Sequence, residues 1–468
     1  MAGTFLLGEK KIRPGTYYRR EKRGVALEGA TNGYCAALYA GNWGELNRVV
    51  DLDPTMINNL EDYVGDAADF FREIFIGGAT TVRAVRVGGD DGLSSEITLL
   101  DTNSVTAVKI SAKYAGDREF SVSIRENLIT DQKQCIIYDG TDIFTSFEFA
   151  AGGDEAQALC DAMKNNRWFV AQYITSGELA PIAQMGMTGG TNPTVTVKSY
   201  SNGTNILERY RWNCIVADTN NSSVTAILIA FVRQSYETGH LGFTCIGGLS
   251  SDALETRMTS AAAVNDEKVV YVLSGWRDIY GKEYEGWKAA ARIGGMIAGC
   301  ESNTSLTHDV IKDAAELLEA LTNGEIIRAE QRGCFVLSLN DEDQVWVDNA
   351  LTTLVTLDAN MDEGWKKIRR TKTRFELIDR VNRTHDKLIG NVNNNENGRA
   401  TILAAAQKII NEMISEEKLL EGSYVELDEA HPPEGDSVWL KFHILDCDSI
   451  EKLYNTFIFR YGNSFAED

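Results

Sequence analysis

The residue types that most often carry out catalysis or bind metals are present in this chain, but they lie far apart. None of its histidines is spaced as in HxH or HExxH; they are His240, His308, His385, His431 and His443. The pair Asp51 and Asp53 stands directly before a proline, which is typical of a turn that precedes a helix. We therefore predict no metal site and no cofactor.

The segment IGGLSSD, residues 246–252, is the best placed for binding a phosphate, because it follows a predicted strand and precedes a predicted helix. It lacks both the GxGxxG pattern and the lysine of a P-loop. Small or polar residues stand at neighbouring predicted strand ends, namely Asp218, Gly247, Gly248 and Ser274, without an accompanying acid–base pair. An α/β enzyme that uses a nucleotide or a sugar therefore remains an alternative, and our leading interpretation is that the chain is not an enzyme.

The composition is that of an acidic globular protein. The chain has 468 residues and a net charge of −22, which disfavours nucleic acid or an anionic membrane as its main partner. Its longest apolar run, residues 224–232, is about half the length that spans a bilayer. The eight cysteines form no CxxC and lie mostly in apolar settings, as reduced buried thiols do. With no signal-like N-terminus, we expect synthesis and assembly in the cytoplasm and no membrane insertion.

The hydrophobic pattern predicts a mixed α/β and α+β chain of several domains. Residues 25–94 and 201–344 alternate between strand and helix, which indicates an α/β core domain with a largely parallel sheet. Residues 95–200 read as short strands and turns, ending in TVTVKSY, and predict a β-rich inserted outer domain. Residues 313–327 predict a helix stopped by Gly324. Residues 345–453 predict an α+β C-terminal domain that begins with a strand over 345–357 and contains two amphipathic helices.

Two terminal segments differ from the rest. Residues 1–24 contain seven basic and two acidic residues and little with which to build a core. Residues 415–468 contain thirteen acidic and four basic residues and end in alternating, strand-like patterns. A basic extended segment and an acidic segment with edge-like strands suit strand addition between chains, in which opposite charges favour the correct register. We predict linking arms at residues 1–24 and 454–468.

A third charged feature is a basic run near the start of the C-terminal domain. Six of the nine residues from Lys366 to Arg374 are Lys or Arg, with no acid among them. An amphipathic stretch and an Asn/Gly-rich loop, which together extend to Gly398, follow at once. This run predicts a docking surface or a solvated face rather than a polyanion site, because a lone basic run is weak support for such a site in so acidic a chain.

Several short motifs, in their order and spacing, resemble those of contractile tail sheath proteins from bacteriophages and phage-tail-like bacteriocins. Arg13-Pro-Gly-Thr-Tyr17 resembles the opening of that family, and the helix WKAAARIGGMIAG followed by CESNTSLTH resembles its Ala/Gly-rich helix. Lys366-Lys-Ile-Arg-Arg370, Ile378-Asp-Arg380, Ile389-Gly-Asn391 and Asn397-Gly-Arg399 resemble its C-terminal series. The opening and the size are most similar to sheaths of Gram-positive phages and defective prophages.

The resemblance implies a structural subunit that polymerises with itself. Such subunits form stacked six-fold rings around a tail tube and contract to drive the tube through a bacterial envelope. The implied partners are other copies of the chain, the tail tube protein, and the baseplate and tail-terminator proteins, with no direct contact with nucleic acid. The implied location is a virion or a phage-tail-like particle. A non-contractile shell protein remains a further alternative.

The predicted sites follow from this resemblance and from the charge pattern. The intersubunit arms are predicted to use Arg13, Pro14, Tyr17, Tyr18, Arg19, Arg20, Phe457, Ile458, Phe459, Arg460 and Tyr461. The strand that accepts an arm is predicted to present Val438, Leu440, Phe442 and Ile444 on one face. The candidates for contact with the tube are Lys366, Lys367, Arg369, Arg370, Lys408 and Glu412. A contact between the basic run and acids of a neighbouring subunit is the competing interpretation.

Overall fold

The structure is a computed structural model that describes residues 32–127 and 132–459, together with the backbone of residues 2–4 and 16–18. Residues 1–31 form one compact unit and residues 32–468 form another. In the first unit, β1 (Ala2–Thr4) pairs in parallel with β2 (Thr16–Tyr18). Of the predicted arm residues, Arg13, Pro14, Arg19, Arg20, Arg460 and Tyr461 lie outside the described residues.

Residues 32–94 begin the second unit as an α/β structure. They form β3 (Tyr34–Tyr39), β4 (Val49–Leu52), α1 (Glu61–Val64), α2 (Ala68–Gly77) and β5 (Thr81–Arg86). The apolar residues within 60–75 are spaced as in a single helix, but Gly65, which has φ +60, separates α1 from α2. A left-handed backbone conformation cannot continue an α-helix, so the apolar stripe is divided between two shorter helices.

Residues 96–186 consist mostly of β-strands and lie within the range 95–200 for which the sequence predicts an inserted domain. Their elements are β6 (Glu96–Leu100), β7 (Thr106–Ala112), β8 (Phe120–Asn127), β9 (Gln132–Asp139), β10 (Asp142–Ala150), α3 (Glu155–Met163), β11 (Phe169–Tyr173) and β12 (Ile182–Gly186). A four-stranded sheet (β10-β9-β8-β12) and a three-stranded sheet (β11-β7-β6) share one hydrophobic core. Trp43, from the loop after β3, is buried in that core, so the insertion packs directly on the α/β part.

The chain then returns to strand–helix alternation. Its elements are α4 (Val197–Leu207), β13 (Cys214–Ala217), α5 (Ser222–Glu237), β14 (Phe243–Gly247), α6 (Leu254–Val264), β15 (Val269–Val272), β16 (Trp276–Asp278), β17 (Glu283–Tyr284), α7 (Trp287–Gly299), β18 (Ala314–Leu317), α8 (Asn323–Gln331), β19 (Cys334–Leu339) and β20 (Val345–Asn349). Strands β16, β17 and β18 form a small antiparallel sheet of their own.

Three sequence interpretations are wrong in this region. TVTVKSY is not a strand: its second half starts α4, because Thr196 and Ser199 form a capping box that begins a helix there. Residues 313–327 are not one helix, since β18 occupies their start, and Gly324 lies in the first turn of α8 rather than at a helix end. The predicted strand over 345–357 ends at Asn349.

An eight-stranded sheet forms the centre of the molecule, in the order β20-β19-β15-β14-β13-β3-β5-β4. Its six inner strands are parallel, and the two edge strands, β4 and β20, are antiparallel to their neighbours. Helices α2 and α7 cover one face, and α4, α5, α6 and α8 cover the other. This sheet is the largely parallel one that strand–helix alternation predicted. Because β20 pairs with β19, the sheet extends past the boundary at Val345 that we proposed for the C-terminal domain, and the division into domains stays a prediction.

The C-terminal part consists of two long helices and a hairpin. These are α9 (Ile368–Asp386), α10 (Glu396–Ser415), β21 (Tyr424–Leu427) and β22 (Leu440–His443). Both helices were predicted from their apolar spacing, and they pack around a small core that includes Val381, Ile410 and Met413. Ile368 and Phe375 of α9 instead join the main core under the central sheet. Helix α9 therefore connects the C-terminal part to the rest of the molecule.

Candidate assembly surface

Strand β22 has an edge that faces away from its partner strand. Its register with β21 pairs Leu427 with Leu440 and Val425 with Phe442, and the backbone N–H of Asp428 donates to the carbonyl of Trp439 at 3.0 Å. In an antiparallel ladder, hydrogen-bonded and non-hydrogen-bonded pairs alternate. The N–H and C=O groups of Leu440 and Phe442 therefore point to the outer edge, where the described part of the chain contributes no further strand.

The opposite edge of the hairpin is partly occupied. By the same alternation, the N–H of Val425 points away from β22, and it donates to Oε1 of Gln407 in α10 at 3.2 Å. A side chain thus takes the place that another strand would need at this point. The outer edge of β22 is consequently the better acceptor for a strand from another chain.

Two cavities lie along the predicted acceptor residues. One has a volume of about 780 Å³ and is lined by Phe442 and Ile444 of the hairpin and by Leu377 and Val381 of α9, among others. The second, of about 510 Å³, is lined by Val438 and Leu440 together with residues around the Asn-rich loop. Val438, Leu440, Phe442 and Ile444 are each partly buried. The predicted strand thus borders on apolar space in addition to its free backbone groups.

Residues 452–459 are exposed and rich in apolar residues. Leu453 and Tyr454 are 76% and 90% exposed, and Phe457, Ile458 and Phe459 are 76%, 66% and 92% exposed. Apolar side chains in such a row rarely remain in water in a soluble protein, and they mark an interaction site. The three predicted tail residues that the structure describes therefore remain candidates for contact with another chain.

The basic run is engaged inside its own chain. Arg370 donates to the carboxylate of Asp446 from Nε at 2.8 Å and from Nη2 at 2.6 Å, and Nη1 donates to Asp362 at 2.8 Å. Hydrogen bonds to Asp446 and Asp362 raise the pKa of Arg370, and the bonds from Arg370 lower the pKa of Asp362. Arg370 and Asp446 are both largely buried, so this is an interior ion pair.

The neighbouring basic side chains of the run are also paired within the chain. Lys367 lies 2.8 Å from Asp448 and 2.7 Å from Glu451, and Arg369 donates to the backbone carbonyl of Cys447 at 2.8 Å. Lys366 pairs with Glu363 at 2.7 Å. Most of the charge of the basic run is therefore already neutralised within the chain. Contact of the run with the tube, or with a neighbouring subunit, stays a prediction. Sequence reasoning missed Asp446, Asp448 and Glu451 as the partners, although their close spacing in an acidic segment was a usable signal.

The helical candidates for tube contact are placed differently. Lys408 and Glu412 lie on the exposed face of α10, with their charged atoms 3.6 Å apart, in a shallow polar depression that also includes Gln407 and Asn411. An exposed i,i+4 pair of this kind contributes little to stability. These two side chains are therefore available for an external partner, and their contact with a tube stays a prediction.

The strand ends considered for an enzyme site are filled by the chain itself. A Cβ on Gly247 would lie 2.1 Å from the carbonyl oxygen of Gly286, and the Gly286 N–H donates to the Gly248 carbonyl at 3.1 Å. Asp218 accepts hydrogen bonds from the Ala40 N–H at 2.7 Å and the Tyr200 hydroxyl at 2.6 Å. Burial raises the pKa of Asp218. Backbone therefore occupies the place where a phosphate would approach the IGGLSSD segment.

Metal sites, membrane-spanning helices and cysteine thiols are further features that could bind or react. Among the described residues no group of three or more His, Cys, Asp or Glu side chains is arranged to hold a metal ion. Within the same residues no helix is both long and apolar enough to cross a membrane. All eight cysteines are free thiols and most are buried, and burial raises the pKa of Cys35 and Cys245 well above the usual value. These thiols match the reduced, packed cysteines that the sequence predicted.

Comparison with known proteins identifies the central region. Residues 194–353 match the family described as the phage tail sheath protein central domain. This range covers α4 through β20, which includes most of the central sheet. Over 394 residues the chain is 24% identical to "Uncharacterized protein YqbK" of Bacillus subtilis strain 168, and the alignment covers 78% of each chain.

Solved structures share the fold over nearly the whole chain. The sheath tail protein DSY3957 from Desulfitobacterium hafniense superposes with a TM-score of 0.73 at 18% identity, covering 93% of this chain and 98% of that one. The helical sheath of the anti-feeding prophage in its contracted state superposes with a TM-score of 0.57 at 8% identity, covering 96% and 99%. The mixed α/β architecture predicted from the sequence is confirmed.

Proposed function

We propose that this chain works as the structural subunit of a contractile tail sheath. The observation that carries the proposal is the match of residues 194–353 to the sheath central domain. At Gly247 the backbone of Gly286 occupies the strand end where a phosphate would bind. This supports a mechanical rather than an enzymatic role.

In this function the subunits polymerise as stacked six-fold rings around a tail tube. The anti-feeding prophage proteins that share this fold include a helical sheath and a baseplate component, and this likeness supports copies of the chain and a baseplate as partners. We extend the proposal to the tail tube and tail-terminator proteins. The chain is assembled in the cytoplasm of a bacterial host and becomes part of a virion or a phage-tail-like particle.

The linkage between subunits uses strand addition. The outer edge of β22 offers the backbone groups of Leu440 and Phe442, and the tail offers Phe457 and Phe459. The segment that contains the hairpin is acidic, whereas the first 24 residues are basic, so charge favours the N-terminal arm, with Tyr17 and Tyr18, as one donor of a strand. Contraction then changes the interfaces between subunits while the arms keep neighbours linked. No nucleotide hydrolysis is needed.

Self-assembly of the purified chain tests the proposal. We expect hollow tubes, in the contracted form, at high protein concentration in the absence of tube protein, because the extended arrangement should need the tube as a template. Negative-stain microscopy and sedimentation provide the measurement. Monodisperse monomers would contradict a sheath subunit, and flat sheets would favour a non-contractile shell.

Arm deletions test the linkage separately from the fold. Removal of residues 1–20, or of the residues after Leu453, should abolish polymerisation and leave a folded monomer by circular dichroism. The reason is that the described tail residues after Leu453 are exposed and belong to no core cluster. Normal tubes from either deletion would show that the deleted arm does not link subunits.

A further inference from the structure

Residues 446–451, which are separated by two residues from the end of β22 at His443, bind along the first half of α9 on the same chain. Asp446 receives two hydrogen bonds from Arg370 and lies 3.6 Å from Nη1 of Arg374. Two residues later, Asp448 pairs with Lys367 at 2.8 Å. The segment therefore lies along the start of α9, where Arg369 in addition donates to the carbonyl of Cys447.

The far end of this segment is anchored to a second element. Glu451 pairs with Lys367 at 2.7 Å and accepts hydrogen bonds from the hydroxyls of Ser305 at 2.9 Å and Thr307 at 3.3 Å. Burial opposes ionisation of Glu451, but the hydrogen bonds from Lys367 and Ser305 hold its pKa below the usual range. Residues 305 and 307 belong to the loop between α7 and β18, so Glu451 connects the segment to the central part of the molecule.

The backbone of the segment is held as well. The Cys447 N–H donates to the Lys418 carbonyl at 3.0 Å, and the Cys447 carbonyl accepts from Arg369 at 2.8 Å. After Glu451 the described residues 452–459 are all exposed, with Leu453 at 76%. The change from anchored to exposed chain takes place within two residues, which makes Glu451 the last fixed point before the tail.

We propose that residues 446–451 form a strap that fixes the direction in which the C-terminal tail leaves its subunit, and that this strap sets the spacing between neighbouring subunits. The proposal rests on the proposed self-assembly, because spacing has a meaning only in a polymer. Since one end of the strap continues from β22, the same six residues join the acceptor edge to the donor tail. A tail whose first residues are mobile would reach neighbours over a wide range of positions, whereas a tail held at Glu451 starts from the same point on every subunit, both before and after contraction.

Hydrogen exchange of the unassembled full-length chain tests whether residues 446–451 hold the start of the tail in place. The variant Asp446→Asn/Asp448→Asn/Glu451→Gln removes three charges from the strap. A matched control, Asp341→Asn/Glu342→Gln/Asp343→Asn, removes three charges from the exposed loop between β19 and β20, where the described contacts include no ion pair to these residues. We expect exchange in peptides covering residues 446–451 to become about tenfold faster in the strap variant and to stay unchanged in the control.

Salt gives a second readout on the unaltered chain. At roughly 1 M salt the Debye length falls to about 3 Å, so the more exposed pair of Lys367 and Asp448 should weaken and exchange in the strap should increase, whereas exchange in the central sheet should not. If the triple variant fails to fold, the single change Glu451→Gln keeps the Asp446 pair and should loosen only the end next to the tail. If exchange in residues 446–451 of the folded strap variant is the same as in wild type, the charged side chains do not hold the start of the tail in place.

Microscopy of assembled material tests the effect on spacing. The strap variant should still associate but should form tubes of irregular diameter, and the control should form regular ones. Tubes of the strap variant with wild-type diameter and axial repeat would overturn the link between strap and spacing. If the wild-type chain makes no polymer, the proposed function fails, and the exchange experiment still decides whether the strap exists.

Discussion

Gly295 of α7 faces the carbonyl oxygen of Ile74 in α2 across a gap that has no room for a side chain. A Cβ at Gly295 would lie 2.1 Å from that oxygen and 3.0 Å from the Ile74 Cα. Gly77 and Gly299 make similarly close approaches between the same two helices. The small-residue pattern WKAAARIGGMIAG thus allows two helices to pack backbone to backbone on one face of the central sheet.

We expect Gly295→Ala to destabilise the fold by about 1–3 kcal/mol, because the backbones must separate to admit one methyl group. Chemical denaturation with far-UV circular dichroism would measure the change. Gly324→Ala is the matched control, since nothing lies within 4 Å of a Cβ at that position in α8. The control should be neutral or slightly stabilising, and equal losses in both variants would contradict the close-packing argument.

Glu330 of α8 lies against Asp348 of β20, and burial together with this second carboxyl group raises the pKa of Glu330 to about 7. The folded chain therefore holds a proton that the unfolded chain has lost between about pH 4.5 and 7, so this pair lowers the free energy of unfolding as pH rises through that window. We expect Glu330→Gln to flatten this dependence and to be more stable than wild type at pH 8 by about 2 kcal/mol.

Urea midpoints at pH 5 and pH 8 provide the measurement for the Glu330 variant. Glu342→Gln, at an exposed carboxylate in the loop before β20, is the control and should leave the pH dependence as in wild type. A Glu330→Gln curve parallel to the wild-type curve would show that the two carboxyl groups do not share a proton.

Strand addition at β22 predicts opposite effects for proline at adjacent residues. Leu440→Pro removes an N–H that points to the outer edge, so the monomer should keep its stability within about 1 kcal/mol and lose assembly. Lys441→Pro removes an N–H that bonds to β21, so the hairpin itself should be destabilised. Thermal unfolding and negative-stain microscopy distinguish the two. Regular tubes from folded Leu440→Pro protein would exclude this edge as the acceptor.

The internal pairing of the basic run predicts that Arg370 is needed for stability. Arg370→Ala leaves Asp446 and Asp362 without their main partner, and we expect a loss of about 3 kcal/mol, near the lower end of the range for broken buried pairs. Lys366→Ala is a suitable comparison, because its partner Glu363 is highly exposed, and it should change stability by less than about 0.5 kcal/mol. Denaturation of both monomers gives the answer. If both substitutions change the free energy of unfolding by the same small amount, the internal pairing of Arg370 does not stabilise the fold.

Contact with a tail tube is predicted to depend on the exposed face of α10. Lys408→Ala/Glu412→Ala should leave stability and self-made contracted tubes intact, because both side chains are exposed and bond mainly to each other. Extended particles formed with tube protein should become rare, since many weak contacts around each ring would each be reduced. Co-assembly followed by microscopy measures this. Loss of both kinds of particle would instead assign these residues to a contact between sheath subunits.

The strands and helices with strong periodicity were predictable because their physical cause is local. Burial of all the side chains of β13, and of all those of β3 after Tyr34, follows from continuous apolar runs, and the stripes of α9 and α10 follow from helical spacing. The errors at 194–200 and 313–327 arose where capping decided the outcome. At the start of α4 the Thr196 hydroxyl accepts a hydrogen bond from the Ser199 N–H, and at the start of α8 the Glu325 carboxylate accepts one from the Thr322 N–H. These caps outweigh the strand-like or helical pattern around them.

The sequence by itself determined the acidic balance, the separate character of the two arms, the order of the α/β and β-rich regions and the motifs that resemble a sheath. Tertiary structure alone decided where the charges of the basic run go. Arg370 and Asp446 are 76 residues apart, and they meet only because α9 and the segment after β22 pack against each other. The same packing decided which edge of the hairpin is free, because Gln407 occupies one edge and no described strand pairs with the other. Charge and periodicity are properties of a segment, whereas pairing depends on how distant segments share buried space.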